Sequence, residues 1–337
     1  MVSVKHIQYP VGQGGLHLGI IKNYAYIYDC GGYGKCVDWD NIFDDVVKKL
    51  KIANCQNLDI FISHWHQDHC NKLEKLEGYL DKAKIKYVEY FPEITRTVKI
   101  LLVCEHLCMI EDGMNDKDIM PPQNYIKLIF DKHKSVQQIS DNRFRDIRLA
   151  DTEYILKPYV TRIPSKYLRD FEMALSNKKI DIPKDEILTE YPNNFWSKVV
   201  EIYKMMLKNS KLTKLRNRLM LSLYCGKSNI NRFRNENNCW LHTGDAYMKK
   251  KDLSGFINRF GGLLYNVNFA QIPHHGSKNN HDDTFSLLFN SCNCHTFYYT
   301  VNIKNCVKTD TADISLCLCP CQMIREISEN PLTKLEV

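Results

Sequence analysis

No stretch of this 337-residue sequence approaches the run of ~20 apolar residues that a helix needs to cross a bilayer, so no membrane partner is expected. Met1 to Pro10 lacks the apolar core of a signal peptide and has the pattern of a strand. The expectation is therefore a cytoplasmic protein. Neither an internal repeat nor a low-complexity tract is visible, which argues against a repeat array.

Cysteine is not scarce. Fourteen cysteines would form a disulfide framework in a small secreted domain. In a chain of this length with no secretory signal they are expected as free thiols, most of them small buried apolar residues. In the tail, Cys292 and Cys294 precede Cys317, Cys319 and Cys321. Their alternatives are buried strand positions or a structural zinc site, although C-x-C spacing departs from the usual C-x2-C knuckle. At 44% hydrophobic and 25% charged, the composition is that of a globular chain able to bury a large core. The formal charge of +7 favours an anionic substrate, nucleic acid included, or serves solubility alone.

Short apolar runs separated by glycine-rich turns open the chain. Val2 to Tyr9 and Leu16 to Ile21 have the pattern of paired strands around Gly12, Gly14 and Gly15, and Tyr24 to Tyr28 of a third. Asn41 to Leu50 switches to helical spacing, Leu58 to Ser63 returns to strand, and Leu73, Leu76 and Leu80 mark a helix. Further on, Val98 to Cys104 and Tyr154 to Val160 are predicted strands, and Lys166 to Asn177 and Asn194 to Lys208 predicted helices. Strands resume at Leu219 to Cys225, Cys239 to Thr243, Phe269 to Ile272 and Thr296 to Val301. This pattern predicts one domain over residues 1–337, with a mainly helical insertion at about 161–215.

The chemistry is concentrated in His64-Trp65-His66-Gln67-Asp68-His69, directly after a strand. Alternate residues of an extended strand end point the same way, so His64 and His66 can converge on one ion. As the chain turns into the next helix, Asp68 and His69 can face a second. Imidazole with carboxylate suits zinc, manganese or iron. Asp245, in His242-Thr243-Gly244-Asp245, also ends a strand, as do His274 and His275 in Pro273-His274-His275-Gly276-Ser277. No role is assigned to His6, His17, His133, His281 or His295. His242 is expected to be packed or hydrogen-bonded.

His-x-His-x-Asp-His, a later Gly-Asp and then Pro-His-His-Gly-Ser resemble the metallo-β-lactamase superfamily. More narrowly, the chain is similar to ComEC-type hydrolase domains and their stand-alone relatives. Val11-Gly12-Gln13-Gly14, Asp29-Cys30-Gly31-Gly32, and Asn217 ahead of Leu221-Ser222-Leu223 support the narrower likeness, which covers about residues 1–110 and 215–300. The resemblance implies an α/β fold, the αββα sandwich, with one or two divalent ions, zinc or manganese, at one edge. Carried over by position, His64 and His66 hold the first ion and Asp68 and His69 the second. Asp245 bridges, and one of His274 and His275 completes the second site. Departures are visible too. A further histidine usual ahead of the bridging aspartate has no counterpart in a recognisable motif, so the alternatives are a first site that is incomplete, one filled by water or substrate, or one in which Asn217 is a first-site or substrate contact. Gly15 stands where an Asp is usual, and the late His-Pro is missing.

The implied activity is hydrolysis by a hydroxide that the ions generate, with Asp68 orienting it and the histidine of the 274–275 pair that is not a ligand, His275 where His274 holds the ion, protonating the leaving group. A phosphodiester is the first substrate reading, since Lys208, Lys211, Lys214, Arg216, Arg218, Arg232 and Arg234 form either a nucleic-acid track or a solvated face. Alternatives are a carbonyl substrate (lactone, thioester or β-lactam), which calls for a compact apolar pocket, or a degenerate metal-binding regulatory module.

Overall fold

Period-2 alternation builds the first sheet. In β3 (Tyr24–Gly32), Ala25 and Ile27 join a core beneath helices, while Tyr26 and Tyr28 pack toward a second sheet. The computed structural model describes residues 2–12, 14–33, 37–111, 119–132, 135–140, 144–209, 219–229, 238–249, 253–274, 280–281, 285, 288, 297–301, 324–327 and 335–336. The tail cysteines, Asn217, His275 and the basic residues 211–234 named above lie outside them.

The first sheet also contains β1 (Val4–Gln8), β2 (Gly14–Ile21), β4 (Asn57–Phe61), β5 (Lys86–Pro92), β6 (Gln137–Ile139) and β14 (Leu335–Glu336), in the order β14-β1-β2-β3-β4-β5-β6. The second contains β7 (Ile147–Arg148), β8 (Tyr154–Val160), β9 (Leu221–Lys227), β10 (Cys239–His242), β11 (Val267–Gln271), β12 (Phe297–Val301) and β13 (Ile324–Ile327), in the order β13-β12-β11-β10-β9-β8-β7. Each sheet has three antiparallel pairings followed by three parallel ones, and the change falls at β3/β4 in one and β10/β11 in the other. The two sheets therefore share a topology that the sequence does not show as a repeat.

Leu16, Leu18, Leu58 and Ile60 lie on the outer face of the first sheet, against α1 (Trp39–Ile52), α3 (Leu73–Ala83) and α4 (Arg96–Glu111). Leu241 and Ala270 lie on the outer face of the second, against Phe256 and Phe260 of α9 (Ser254–Phe260). A third apolar cluster between the sheets includes Tyr28, Phe61, Leu156 and Leu223. These layers form the αββα sandwich that the resemblance implies. Among the described residues no helix is long and apolar enough to cross a membrane.

The remaining helices are α2 (Gln67–Cys70), α5 (Pro122–Lys127), α6 (Ser165–Asn177), α7 (Asp185–Leu188) and α8 (Asn194–Asn209). Phe171 and Leu175 of α6 and Trp196, Val199 and Tyr203 of α8 pack into the same core as α4. One element differs in kind from expectation: Val98 to Cys104 is helical, inside α4. Thr97 to Cys108 is buried on nearly every face, so its apolar run carries no 3.6-residue period and resembles a buried strand. The described cysteines, Cys30, Cys55, Cys70, Cys104, Cys108, Cys225 and Cys239, are buried thiols.

His6, His17 and His242 meet between the sheets. His6 Nδ1 is 3.1 Å from His17 Nε2, Tyr26 Oη is 3.1 Å from His242 Nε2, and the His17 and His242 ring centroids are 4.3 Å apart. Burial pushes the His6 pKa down to about 3 and those of His17 and His242 well below the ordinary value. Such a histidine is neutral in both states above its unfolded pKa of ~6.5. Below that, the unfolded chain takes up the proton and the folded chain does not, so stability falls at about 1.4 kcal/mol per pH unit for each. In the metal-free protein His66 and His69 are shifted upward and offset part of this. The expected outcome is a urea midpoint clearly lower at pH 5 than at pH 7; equal midpoints would contradict neutral burial of the three.

Candidate metal centre

Four strand ends meet where antiparallel pairing gives way to parallel: β3 and β4 of one sheet, β10 and β11 of the other. Asp29 lies near the end of β3, and His64 to His69 follow β4. Asp245 follows β10 and His274 follows β11. The glycines of the first hairpin let this convergence happen. A Cβ on Gly14 would stand 2.3 Å from the Asp68 carbonyl oxygen, and one on Gly31 2.6 Å from it. Any side chain there would push α2, with Asp68 and His69, out of place. Gly244 (φ +53°) would meet Ser63 Cβ at 2.6 Å, so the Asp245 loop also needs glycine.

Two groups of donor atoms result, each within 4.8 Å: His64, His66 and Asp245, and His64, Asp68 and His69. Asp245 reaches into both, with Oδ2 4.0 Å from His64 Nε2 and Oδ1 3.5 Å from His69 Nε2. Asp68 Oδ2 is 3.6 Å from His69 Nε2. His274 Nε2 is 3.6 Å from Asp245 Oδ2 on the more open side.

Each histidine is oriented through its other nitrogen. Ser63 Oγ donates to Asp29 Oδ2 (3.0 Å) and lies 2.8 Å from His64 Nδ1, from which it accepts. Asp29 Oδ2 also accepts from His69 Nδ1 at 2.8 Å, and Asp29 Oδ1 from the Ser63 backbone amide at 2.6 Å. Glu105 Oε2 faces His66 Nε2 at 3.5 Å, and Asn280 Oδ1 faces His274 Nδ1 at 2.8 Å. With these outer nitrogens protonated, the inner nitrogens turn their lone pairs inward. His64 Nε2 and His66 Nδ1 are then 2.9 Å apart, an approach that requires a proton or a metal cation between them. Histidines whose second nitrogen is held by a carboxylate or hydroxyl are the usual setting of a metal ligand, and the donor set fits a divalent ion. His274 holds φ at +50°, a strained conformation that concentrates at functional positions.

The electrostatics agree. Burial, then the neighbouring His69 and His66, push His64 well below the ordinary imidazole range. His69 is buried too, yet Asp29, Asp68 and Asp245 outweigh burial and raise it well above that range. Glu105, Asp68 and Asp245 likewise raise His66 against its burial. The pocket thus draws in positive charge, and a divalent ion competes for the place of those protons.

Asp29, Ser63 and Glu105 were not assigned roles from sequence. Asp29 was visible as the first residue of Asp-Cys-Gly-Gly at a strand end. Gly15 bears on it: a Cβ there would stand 2.9 Å from Asp29 Cβ. For Glu105 the available signal was one carboxylate within an apolar run. His106, one of the few histidines ahead of Asp245, is packed instead: it stacks on Tyr125 at 4.1 Å and donates Nε2–H to the Met120 carbonyl. For Glu105→Gln we expect metal affinity to fall by about 10–100-fold, the usual cost of losing an outer carboxylate. Competition with a chromogenic chelator measures it, and unchanged affinity would show that Glu105 does not orient His66.

Fold and site together define an αββα sandwich carrying a candidate two-ion His/Asp centre at its strand ends. No protein-family model matches the chain, and no curated protein matches its sequence. Among solved structures it is similar to the metallo-beta-lactamase fold protein YhfI from Bacillus subtilis, at 8% identity and TM-score 0.44, over 99% of this chain and 100% of that one. It is also similar to a long form RNase Z from yeast, at 10% identity and TM-score 0.39, over 90% of this chain and 37% of that one.

Proposed function

We propose that the protein is a metal-dependent hydrolase, with a phosphodiester as the bond it cuts. One observation supports the reading above the others: the inner nitrogens of His64, His66 and His69 converge with Asp68 and Asp245 while their outer nitrogens are held by Ser63, Glu105 and Asp29. One or two divalent ions, zinc or manganese, would supply a nucleophile near neutral pH and polarise the bond to be cut. The chain's own residues do the positioning. His64, His66 and Asp245 form one donor group, and Asp68 and His69 with His64 the other. His274, 3.6 Å from Asp245 Oδ2 and with its ring held by Asn280, would add a further ligand. That leaves the adjacent His275 to pass a proton to the leaving group, and Asp68 to orient the attack. The net charge of +7 favours an anionic substrate, and the motif likeness to ComEC-type domains points to nucleic acid.

A second reading, hydrolysis of a carbonyl ester, is favoured by the apolar walls of the cleft beside His64 and His66, among them Val98, Leu101, Leu102 and Ile163. The test is metal content of the purified protein, with cleavage of labelled single- and double-stranded DNA and RNA, bis(p-nitrophenyl) phosphate and a lactone, before and after chelation. Metal-dependent phosphodiester cleavage restored by zinc or manganese is the expected result. Lactone cleavage alone would transfer the proposal to the second reading, and a protein that takes up no metal would end both. Nucleic-acid affinity that falls steeply with added salt would mark backbone contacts.

A further inference from the structure

The cleft beside the first donor group is built from three parts. Val98, Leu101, Leu102 and Glu105 lie on one face of α4, at i, i+3, i+4 and i+7. Ile163 and Leu219 with Tyr203 of α8 are the second part of its lining, and His64, Trp65 and His66 the third. About 40 Å³ is open to the centre of a water molecule, room for a few waters or a short alkyl group. No lysine or arginine lines it among the described residues, and its one carboxylate, Glu105, is turned to His66. A nucleic-acid backbone calls for cations along its track. Here the walls are apolar and offer no cation to a phosphate backbone.

We infer that this cleft takes a short, uncharged alkyl arm of the substrate, and that the substrate is a small phosphoryl or acyl ester whose scissile bond faces His64 and His66. The inference rests on the hydrolase reading and specifies its substrate class. Burial of the arm against Leu101, Leu102 and Ile163 contributes binding in proportion to its length until the cleft is full. A longer arm gains nothing, because it must return to water.

The experiment is calorimetric titration of the zinc-loaded full chain with methyl-, propyl-, pentyl- and heptylphosphonate, with zinc uptake measured on the same samples. Affinity should rise about fourfold per methylene over the short members, the usual effect of burying a CH₂, and then level off. Leu102→Trp and Ile163→Trp, which narrow the cleft, should each flatten the series. Leu102→Ala should move the plateau to a longer chain. Rates on p-nitrophenyl alkyl phosphates and p-nitrophenyl alkanoates then separate the two ester sources: the series that is cut identifies the scissile bond. Zinc uptake with equal affinity for methyl- and heptylphosphonate, or with a slope that neither tryptophan variant changes, overturns the cleft and leaves the hydrolase reading standing. Absence of zinc uptake overturns that reading, and this inference with it.

Discussion

Asp245→Ala is expected to leave the purified protein with little bound metal and to lower hydrolysis by more than about a hundredfold, beyond the ~10–100-fold typical of losing an outer partner. Among the described residues Asp245 is the carboxylate that approaches His64, His69 and His274 together, at 4.0, 3.5 and 3.6 Å. Its removal takes a ligand from both donor groups at once. Stability separates this effect from misfolding. Metal that binds only the folded chain stabilises it by RT ln(1 + [metal]/Kd), about 4 kcal/mol at a thousand times Kd. Wild type should therefore show a large rise in Tm on metal addition. The variant should show almost none, measured against its own metal-free Tm, which already carries the cost of removing this buried carboxylate. Full metal content in Asp245→Ala would remove Asp245 from the centre.

Asp29→Ala should cost about 3–5 kcal/mol of stability, the range for removing one partner of a buried charged network. Asp29 is fully buried, and its carboxylate accepts from the Ser63 amide, the Ser63 hydroxyl and His69 Nδ1. Each of these donors would be left buried with that acceptor gone. Its φ of +60° is also tolerated better by aspartate than by alanine. Asp29→Asn divides the structural from the electrostatic role. Its carbonyl oxygen can still accept from the Ser63 amide, so the stability loss should be smaller. Its NH₂ then faces His69 Nδ1 and favours the tautomer with the proton on Nε2, which removes the inner lone pair. Metal affinity should drop by about 10–100-fold with most of the folding stability kept. Urea titration and chelator competition read the two separately, and an Asn variant that binds metal as wild type does would show that Asp29 does not set the tautomer.

Legibility followed the locality of the signal. Tyr24 to Tyr28 and Tyr154 to Val160 were readable as strands because alternation is a property of neighbouring residues, and the observed strands run Tyr24–Gly32 and Tyr154–Val160. Arg96–Glu111 was misread because a helix buried on nearly all sides has no polar face to mark its period. Lys86–Pro92 passed unassigned: its half-exposed start and buried end give no clean alternation. The two-sheet correspondence was invisible for a different reason. It is a repetition of strand pairing, and different side chains satisfy the same pairing.

By itself the sequence determined that His64, His66, Asp68 and His69 would stand together, since six consecutive residues at a strand end have little freedom to separate. It also determined the two strand-end segments that carry Asp245 and the 274–275 pair. Only the tertiary structure decided that Asp245 comes within 4 Å of His274 and of the His64 and His69 imidazoles, because hydrogen-bonded register between distant strands sets those distances. The partners that aim the rings were likewise decided there: Asp29 from β3, Glu105 from α4 and Asn280 from beyond β11. They act across 40, 39 or only 6 positions of chain, and no spacing rule connects an imidazole to the carboxylate or amide that packing places behind it.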